Sequence, residues 1–241
     1  DTKSSVDEIL NKVESYISNG AEIIDVGGAS TRPGSKLPSP KEELNRVIPI
    51  LEKIRAKFPK IIISIDTVRS KVAEEALLSG ADIINDVSGG YSDKKIIDVA
   101  KRNKCPYILT HNIEKGVNTD KLKSDNPIKE QIRFFSKRIK ELKSQGIYDI
   151  IIDPGFGFSK SIDQNFELIR FFEMLHILHA PILIGISRKS MIYQTLEKNA
   201  ENSLNGTTIM HSFLISRNAS IFRVHDVNEM KEVKMLWKAS F

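Results

Sequence analysis

The 241-residue sequence predicts an α/β protein in which parallel strands alternate with helices, as either a doubly wound open sheet or an eight-stranded β/α barrel. Three observations predict it. A glycine-strand-glycine unit recurs, as Gly20-Ala21-Glu22-Ile23-Ile24-Asp25-Val26-Gly27-Gly28, as Gly80-Ala81-Asp82-Ile83-Ile84-Asn85-Asp86-Val87-Ser88-Gly89-Gly90, and more loosely from Gly146 to Gly155. Each unit reads as a helix stop, a short β-branched run suited to a strand buried on both faces, and a polar turn. Nearly every such run also ends in an unusual polar residue.

In order along the chain, residues 5–18 read as an opening helix, and strands follow at 23–26, 61–65, 83–85, 107–110, 150–152, 182–186 and 221–224. Amphipathic helices at 42–58 and 128–144 stop at Pro59 and Gly146. No linker-like tract divides the chain, so residues 1–241 are expected to form one domain. Because a helix comes first, a barrel built from this sequence is expected to lack its first strand. Residues 110–126 are the longest irregular stretch and are expected to form a loop on the working face.

Composition narrows the function. The net charge of +5 and 28% charged residues allow an anionic partner, but the lysines are scattered, as from Lys137 to Lys143, and read as a solvated face rather than a nucleic-acid surface. No apolar run reaches the ~18 residues that span a bilayer, and the first residues lack a signal-peptide core; a cytoplasmic setting is expected. Cys105 is the single cysteine and reads as a packed thiol at the entry to a strand. Gly155-Phe156-Gly157-Phe158 lacks the Lys-Ser/Thr ending of a P-loop, and Gly27-Gly28 is no dinucleotide fingerprint. His176 and His179 lack the acidic neighbour of a metalloprotease motif and read as structural.

The polar strand ends carry the chemistry: Ser30-Thr31-Arg32, Asp66-Thr67, Asn85-Asp86, His111-Asn112, Asp153, Ser187-Arg188-Lys189-Ser190, and Arg223 with His225-Asp226. In a β/α barrel such ends converge on one rim. Arg32, Lys189, Arg223 and His225 suit a phosphate or carboxylate, while Asp66, Asn85 and Asp153 suit an N–H-rich heterocycle. Any one strand-end Asp is most simply the N-cap of the next helix; seven polar ends together point to a site.

These segments, taken as Gly27-Gly28-Ala29-Ser30-Thr31-Arg32-Pro33-Gly34, Ser64-Ile65-Asp66-Thr67, Ile84-Asn85-Asp86-Val87, Asp153 to Phe158, Ser187 to Ser190 and Arg223 to Asp226, resemble the dihydropteroate synthase family in identity and order over nearly the whole chain. The resemblance implies a pterin-binding (β/α)8 TIM barrel. It also implies a transferase of folate biosynthesis that condenses 6-hydroxymethyl-7,8-dihydropterin diphosphate with p-aminobenzoate, with Mg²⁺ on the diphosphate, sulfonamides as competitors and no side chain assigned as a metal ligand. It implies a homodimer and a fused or partner pterin pyrophosphokinase as expectations.

By the same resemblance Asp66, Lys189, Arg223 and His225 are the catalytic candidates. Thr31, Arg32, Pro33, Asn85, Asp153, Phe158 and Ser190 join them in binding substrate. Ala29 stands where the family usually has Glu, Thr110 where it has Met, and Ser159 where it has Gly. The alternatives are a pterin-binding methyltransferase on the same barrel and a catalytically silent barrel. The intact Asp66, Lys189 and Arg223 speak against the silent barrel.

Overall fold

Parallel pairing of short isoleucine-rich strands organises the computed structural model, which describes residues 5–29, 38–112 and 126–240. The predicted Thr31, Arg32 and Pro33, and most of the 110–126 loop, lie outside the described residues. The chain groups into two compact units, Asp1–Leu109 with Leu142–Asp149, and Thr110–Glu141 with Ile150–Phe241.

In the first unit, α1 (Val6–Ser18) and α2 (Pro40–Lys57) each begin with a capping box, Ser5 with Glu8 and Ser39 with Glu42. In each, the serine side chain and the glutamate three residues on satisfy backbone N–H groups that the first turn leaves unpaired. Strands β1 (Ile23–Gly27), β2 (Ile62–Asp66), β3 (Ile83–Asp86) and β4 (Tyr107–Thr110) pair parallel in sequence order, with Asp25 opposite Ser64, Asp66 opposite Asn85 and Asn85 opposite Ile108. Ile63, Ile65 and Ile84 are fully buried. So are Leu51 and Ile54 of α2, Val72, Ala73 and Ala76 of α3 (Ser70–Leu78), and Ile96 of α4 (Lys95–Asn103). At the strands' N-terminal side, Arg55 donates to the carbonyls of Gly80, Pro59 and Ile61 and pairs with Asp82, whose carboxylate accepts from the Ile63 N–H.

The second unit contains most of α5 (Pro127–Ser144), β5 (Ile150–Asp153), α6 (Ile162–Arg170), a 3-10 helix (Phe172–Leu178), β6 (Leu183–Ile184), α7 (Ser190–Thr195), α8 (Leu204–Ile215), β7 (Ile221–Phe222) and α9 (Val227–Ser240). Ile152 bridges Ile182, and β6 pairs parallel with β7.

Both of these last strands are shorter than the predicted 182–186 and 221–224. After Arg223 donates its N–H to the Ile184 carbonyl, the ladder gives way to the Ser187 side chain, which accepts the next free amide, that of His225. A side-chain acceptor has replaced the neighbouring strand. Among the described residues there are seven strands, at the predicted places.

Cys105 is buried as expected, its thiol pushed up to about 11 by burial. His176 Nε2 donates to the Arg217 carbonyl at 2.9 Å, and His179 closes the 3-10 helix in the left-handed region, both structural roles.

Candidate active site

In the first unit, side chains at alternate positions of a strand share a face, so the register sets Asp25 of β1, Ser64 and Asp66 of β2, and Asn85 of β3 on one face. Ser64 Oγ donates to Asp25 at 2.5 Å, and Asn85 Nδ2 lies 3.3 and 3.4 Å from the two Asp25 oxygens. Asp66 and Asn85 are 7% and 5% exposed, so two of the predicted site residues are brought together with their polar ends turned to a largely dry face. Asp25 was not among the predicted site residues. Its signal was present in the repeat, which aligns Ile23-Ile24-Asp25 with Ile83-Ile84-Asn85.

Two polar neighbours hold backbone instead. Thr67 Oγ1 donates to Glu43 at 2.6 Å, and Arg69 pairs with the same buried carboxylate while donating to the Pro38 carbonyl. This cluster explains Gly28, where a Cβ would lie 2.9 Å from Glu43 Cγ and from Val47. Asp86 is fully buried and accepts from Ser88 N–H, Ser88 Oγ, Gly90 N–H and Tyr107 O–H at 2.7–2.8 Å. Burial pushes its carboxyl up, and the four donors pull it back down. It ties the turn after β3.

In the second unit, Asp153 ends β5 and accepts the Gly155 N–H at 2.7 Å. Gly155 has φ +66°, and a Cβ there would collide with the His111 carbonyl, so the turn admits only glycine. Lys189, at the N-cap of α7, donates to the Phe156 carbonyl and stands 4.6 Å over the Phe158 ring. Burial pushes Asp153 above the usual carboxylate range, while Lys189, Gly155 N–H, Lys160 and Arg223 pull it down. Burial likewise pushes Lys189 down to about 8, with Asp153 raising it and Arg223 lowering it.

Four predicted residues, Asp153, Phe158, Lys189 and Arg223, therefore share one electrostatic neighbourhood, and Ser190 follows Lys189 as the first residue of α7. Arg223 and His225 are exposed. His225 is set by Ser187, whose Oγ lies 3.1 Å from ring Nδ1.

Arg188 and Asp226, from the same motifs, serve the fold. They form a two-point ion pair at 2.8 Å, and Arg188 also donates to the Ala200 and Glu201 carbonyls. Lys160, which follows the Gly-Phe-Gly-Phe run, was not singled out in the sequence. Its ammonium donates to the carbonyls of Gly155, Phe158 and His111 at 3.0, 3.1 and 3.3 Å.

A half-buried carboxylate with three cations close enough to act on it, near an aromatic ring, is equipped to bind a flat N–H-rich ring and an anionic tail. Known proteins agree with that chemistry. The family model described as pterin binding enzyme matches residues 1–225. The chain is 40% identical to Clostridium beijerinckii dihydropteroate synthase, over 94% of this chain and 82% of that one. It is also 40% identical to the Pneumocystis carinii folic acid synthesis protein fol1, over 97% of this chain but only 33% of that longer protein. A solved Xanthomonas albilineans dihydropteroate synthase with 4-aminobenzoic acid is 32% identical and superimposes with a TM-score of 0.90, covering 99% of this chain and 86% of that one.

Proposed function

Since the chain belongs to the pterin-binding enzymes, and among them to the dihydropteroate synthases, we propose that it joins 6-hydroxymethyl-7,8-dihydropterin diphosphate to p-aminobenzoate, forming 7,8-dihydropteroate and releasing pyrophosphate. The fold is accordingly the family's β/α barrel. The observation that carries the reading is the Asp153 carboxylate held among Lys189, Lys160 and Arg223 beside Phe158.

A pterin presents paired N–H donors on its amidine edge, which one carboxylate accepts in a two-point geometry; Asp153 is assigned that edge. Asn85, which both donates and accepts, is assigned the adjoining ring edge. Lys189 is assigned the ring acceptors. Departure of diphosphate leaves positive charge delocalised from the methylene into the ring, while negative charge grows on the leaving oxygen. Asp66 is assigned to the first charge, and Arg223 and His225 to the second. Thr31, Arg32 and Pro33, with Phe158, Lys189 and Ser190, are assigned to the p-aminobenzoate side, where sulfonamides would compete.

Among the described residues no three His, Cys, Asp or Glu side chains gather as a metal site. By the family resemblance, Mg²⁺ enters the proposal on the diphosphate's own oxygens, and no step is routed through protein ligands.

The proposal includes a homodimer, supported by exposed apolar side chains on two helices of the second unit, Ile209 and Phe213 on α8 and Met235 and Leu236 on α9. Sedimentation at micromolar concentration should give twice the 27.2 kDa chain mass, and a monomer would remove this part. No described helix is long and apolar enough to cross a membrane; a cytoplasmic setting is part of the proposal, as is a pterin pyrophosphokinase partner.

The deciding experiment is mass detection of dihydropteroate from the two substrates, with and without added Mg²⁺. Product formed only with the metal supports the whole reading. Bound pterin with no product under either condition would reduce the chain to a pterin binder.

A further inference from the structure

The segment that follows β5, Pro154 to Phe158, turns twice through left-handed glycines, Gly155 at φ +66° and Gly157 at φ +77°. A turn of this kind takes its carbonyls out of any strand ladder, and carbonyls that are not solvated need other donors. Here side chains supply them, beside one backbone bond from the Phe158 N–H to the Gly155 carbonyl at 3.0 Å. Gln131 donates to the Pro154 carbonyl at 2.7 Å, Lys189 to that of Phe156, and Lys160 to those of Gly155 and Phe158.

Lys160 alone of the three also reaches the end of β4, through the His111 carbonyl. The His111 N–H in turn donates to the Asp153 carbonyl at 2.9 Å, and the His111 ring is buried edge-on against Phe134 with centroids 4.8 Å apart. The ammonium therefore joins a rigid anchor to both limbs of the turn.

We propose that Lys160 is a positioning residue for the substrate site: by gathering the carbonyls of His111, Gly155 and Phe158 it fixes the turn that presents the Asp153 carboxylate and the Phe158 ring. The inference rests on the pterin-binding reading of Asp153 given above. A single cation shared by three carbonyls is a stronger tie than three neutral donors, because each bond is charge-assisted. It also sets a positive charge near Asp153. Burial pushes Lys160 down to about 7, Asp153 raises it, Lys189 lowers it further and Glu130 raises it, so the ammonium is held by its surroundings at some cost. A side chain with only a filling role would be better served by an uncharged residue of that shape, which is what Lys160→Met provides.

The test compares the wild-type chain with Lys160→Met and Lys160→Ala, measuring the Kd for dihydropterin diphosphate by calorimetry, the two KM values and kcat, with a thermal melt as the fold control. Expected are a rise of about tenfold or more in pterin Kd and KM, the scale set by losing hydrogen bonds to a charged group, and a kcat changed much less. Propylammonium added to Lys160→Ala should restore pterin affinity saturably, whereas propanol, of the same size without charge, should not. If Lys160→Met does not fold, Lys160→Gln, which keeps one donor pair, is measured against the same criteria. A folded variant with wild-type pterin affinity, or equal rescue by propanol, overturns the inference. A wild-type chain that binds no pterin overturns the functional reading beneath it instead.

Discussion

Replacing Asp153 by asparagine is expected to remove pterin binding by roughly a hundredfold or more while the protein remains folded. The substitution keeps the size of the side chain, and Asn Oδ1 still accepts the Gly155 N–H that Asp153 accepts at 2.7 Å. What changes is the second contact. A carboxylate offers two acceptors to the paired donors of a pterin, whereas an amide offers one acceptor and one donor, setting N–H against N–H. A buried site built for a hydrogen bond discriminates by orders of magnitude against a partner that cannot complete it.

The loss of charge adds to this, since Lys189, Lys160 and Arg223 all lie close enough to act on the Asp153 carboxyl and would face one another without it. Calorimetry with 6-hydroxymethylpterin, which carries no diphosphate, isolates the ring contact from the anionic tail. Unchanged affinity for that ligand would remove Asp153 from the ring's recognition and move its role to the cations around it.

The strands were legible in the sequence because continuous β-branched runs between glycines leave few other options, and the structure places Ile63, Ile65 and Ile84 at zero exposure. The candidate site was legible for a related reason: a polar group at the end of a buried run is costly unless it is used. That argument does not say what uses it. Asp86 and Arg188 hold turns and loops by bonds to nearby groups, as Asp153 also does in part, and no pattern of residue types separates those roles. The strand-end Asp226 stands at the N-cap of α9, but its carboxylate is taken by Arg188. Side-chain caps come from Ser5, Ser39 and Ser161, each three residues before a Glu or Gln, and from Asn126, whose Oδ1 accepts the Lys129 N–H at 3.0 Å at the start of α5. Lys160 was illegible because a single lysine among 36 basic residues reads as solvated surface. Its ammonium meets the carbonyls of Gly155 and Phe158, beside that of His111, at a segment with left-handed residues at Gly155, Gly157 and Ser159, and that is a property of backbone conformation.

Lys189→Met should cost both substrates. Its ammonium touches the Phe156 carbonyl, covers the Phe158 ring and acts on Asp153, so truncation removes a donor, a cation over an aromatic face and one of the positive charges that act on that carboxylate. Losing the donor to the Phe156 carbonyl together with the cation over the Phe158 ring sets an expected fall in kcat/KM of roughly tenfold or more. The pH profile separates charge from shape.

Burial holds Lys189 down to about 8 and Lys160 to about 7, and each lowers or is lowered by nearby cations. The protonated forms make the contacts described, so wild-type kcat/KM should fall as pH rises through this range, with an apparent pKa that belongs to the pair. In Lys189→Met the remaining lysine no longer feels its neighbour's charge, and its own pKa rises. The alkaline limb should therefore move to higher pH even though the maximum is lower. A limb that stays in place would show that neither ammonium controls it. A variant with a lower maximum and no change for p-aminobenzoate would confine Lys189 to the pterin side.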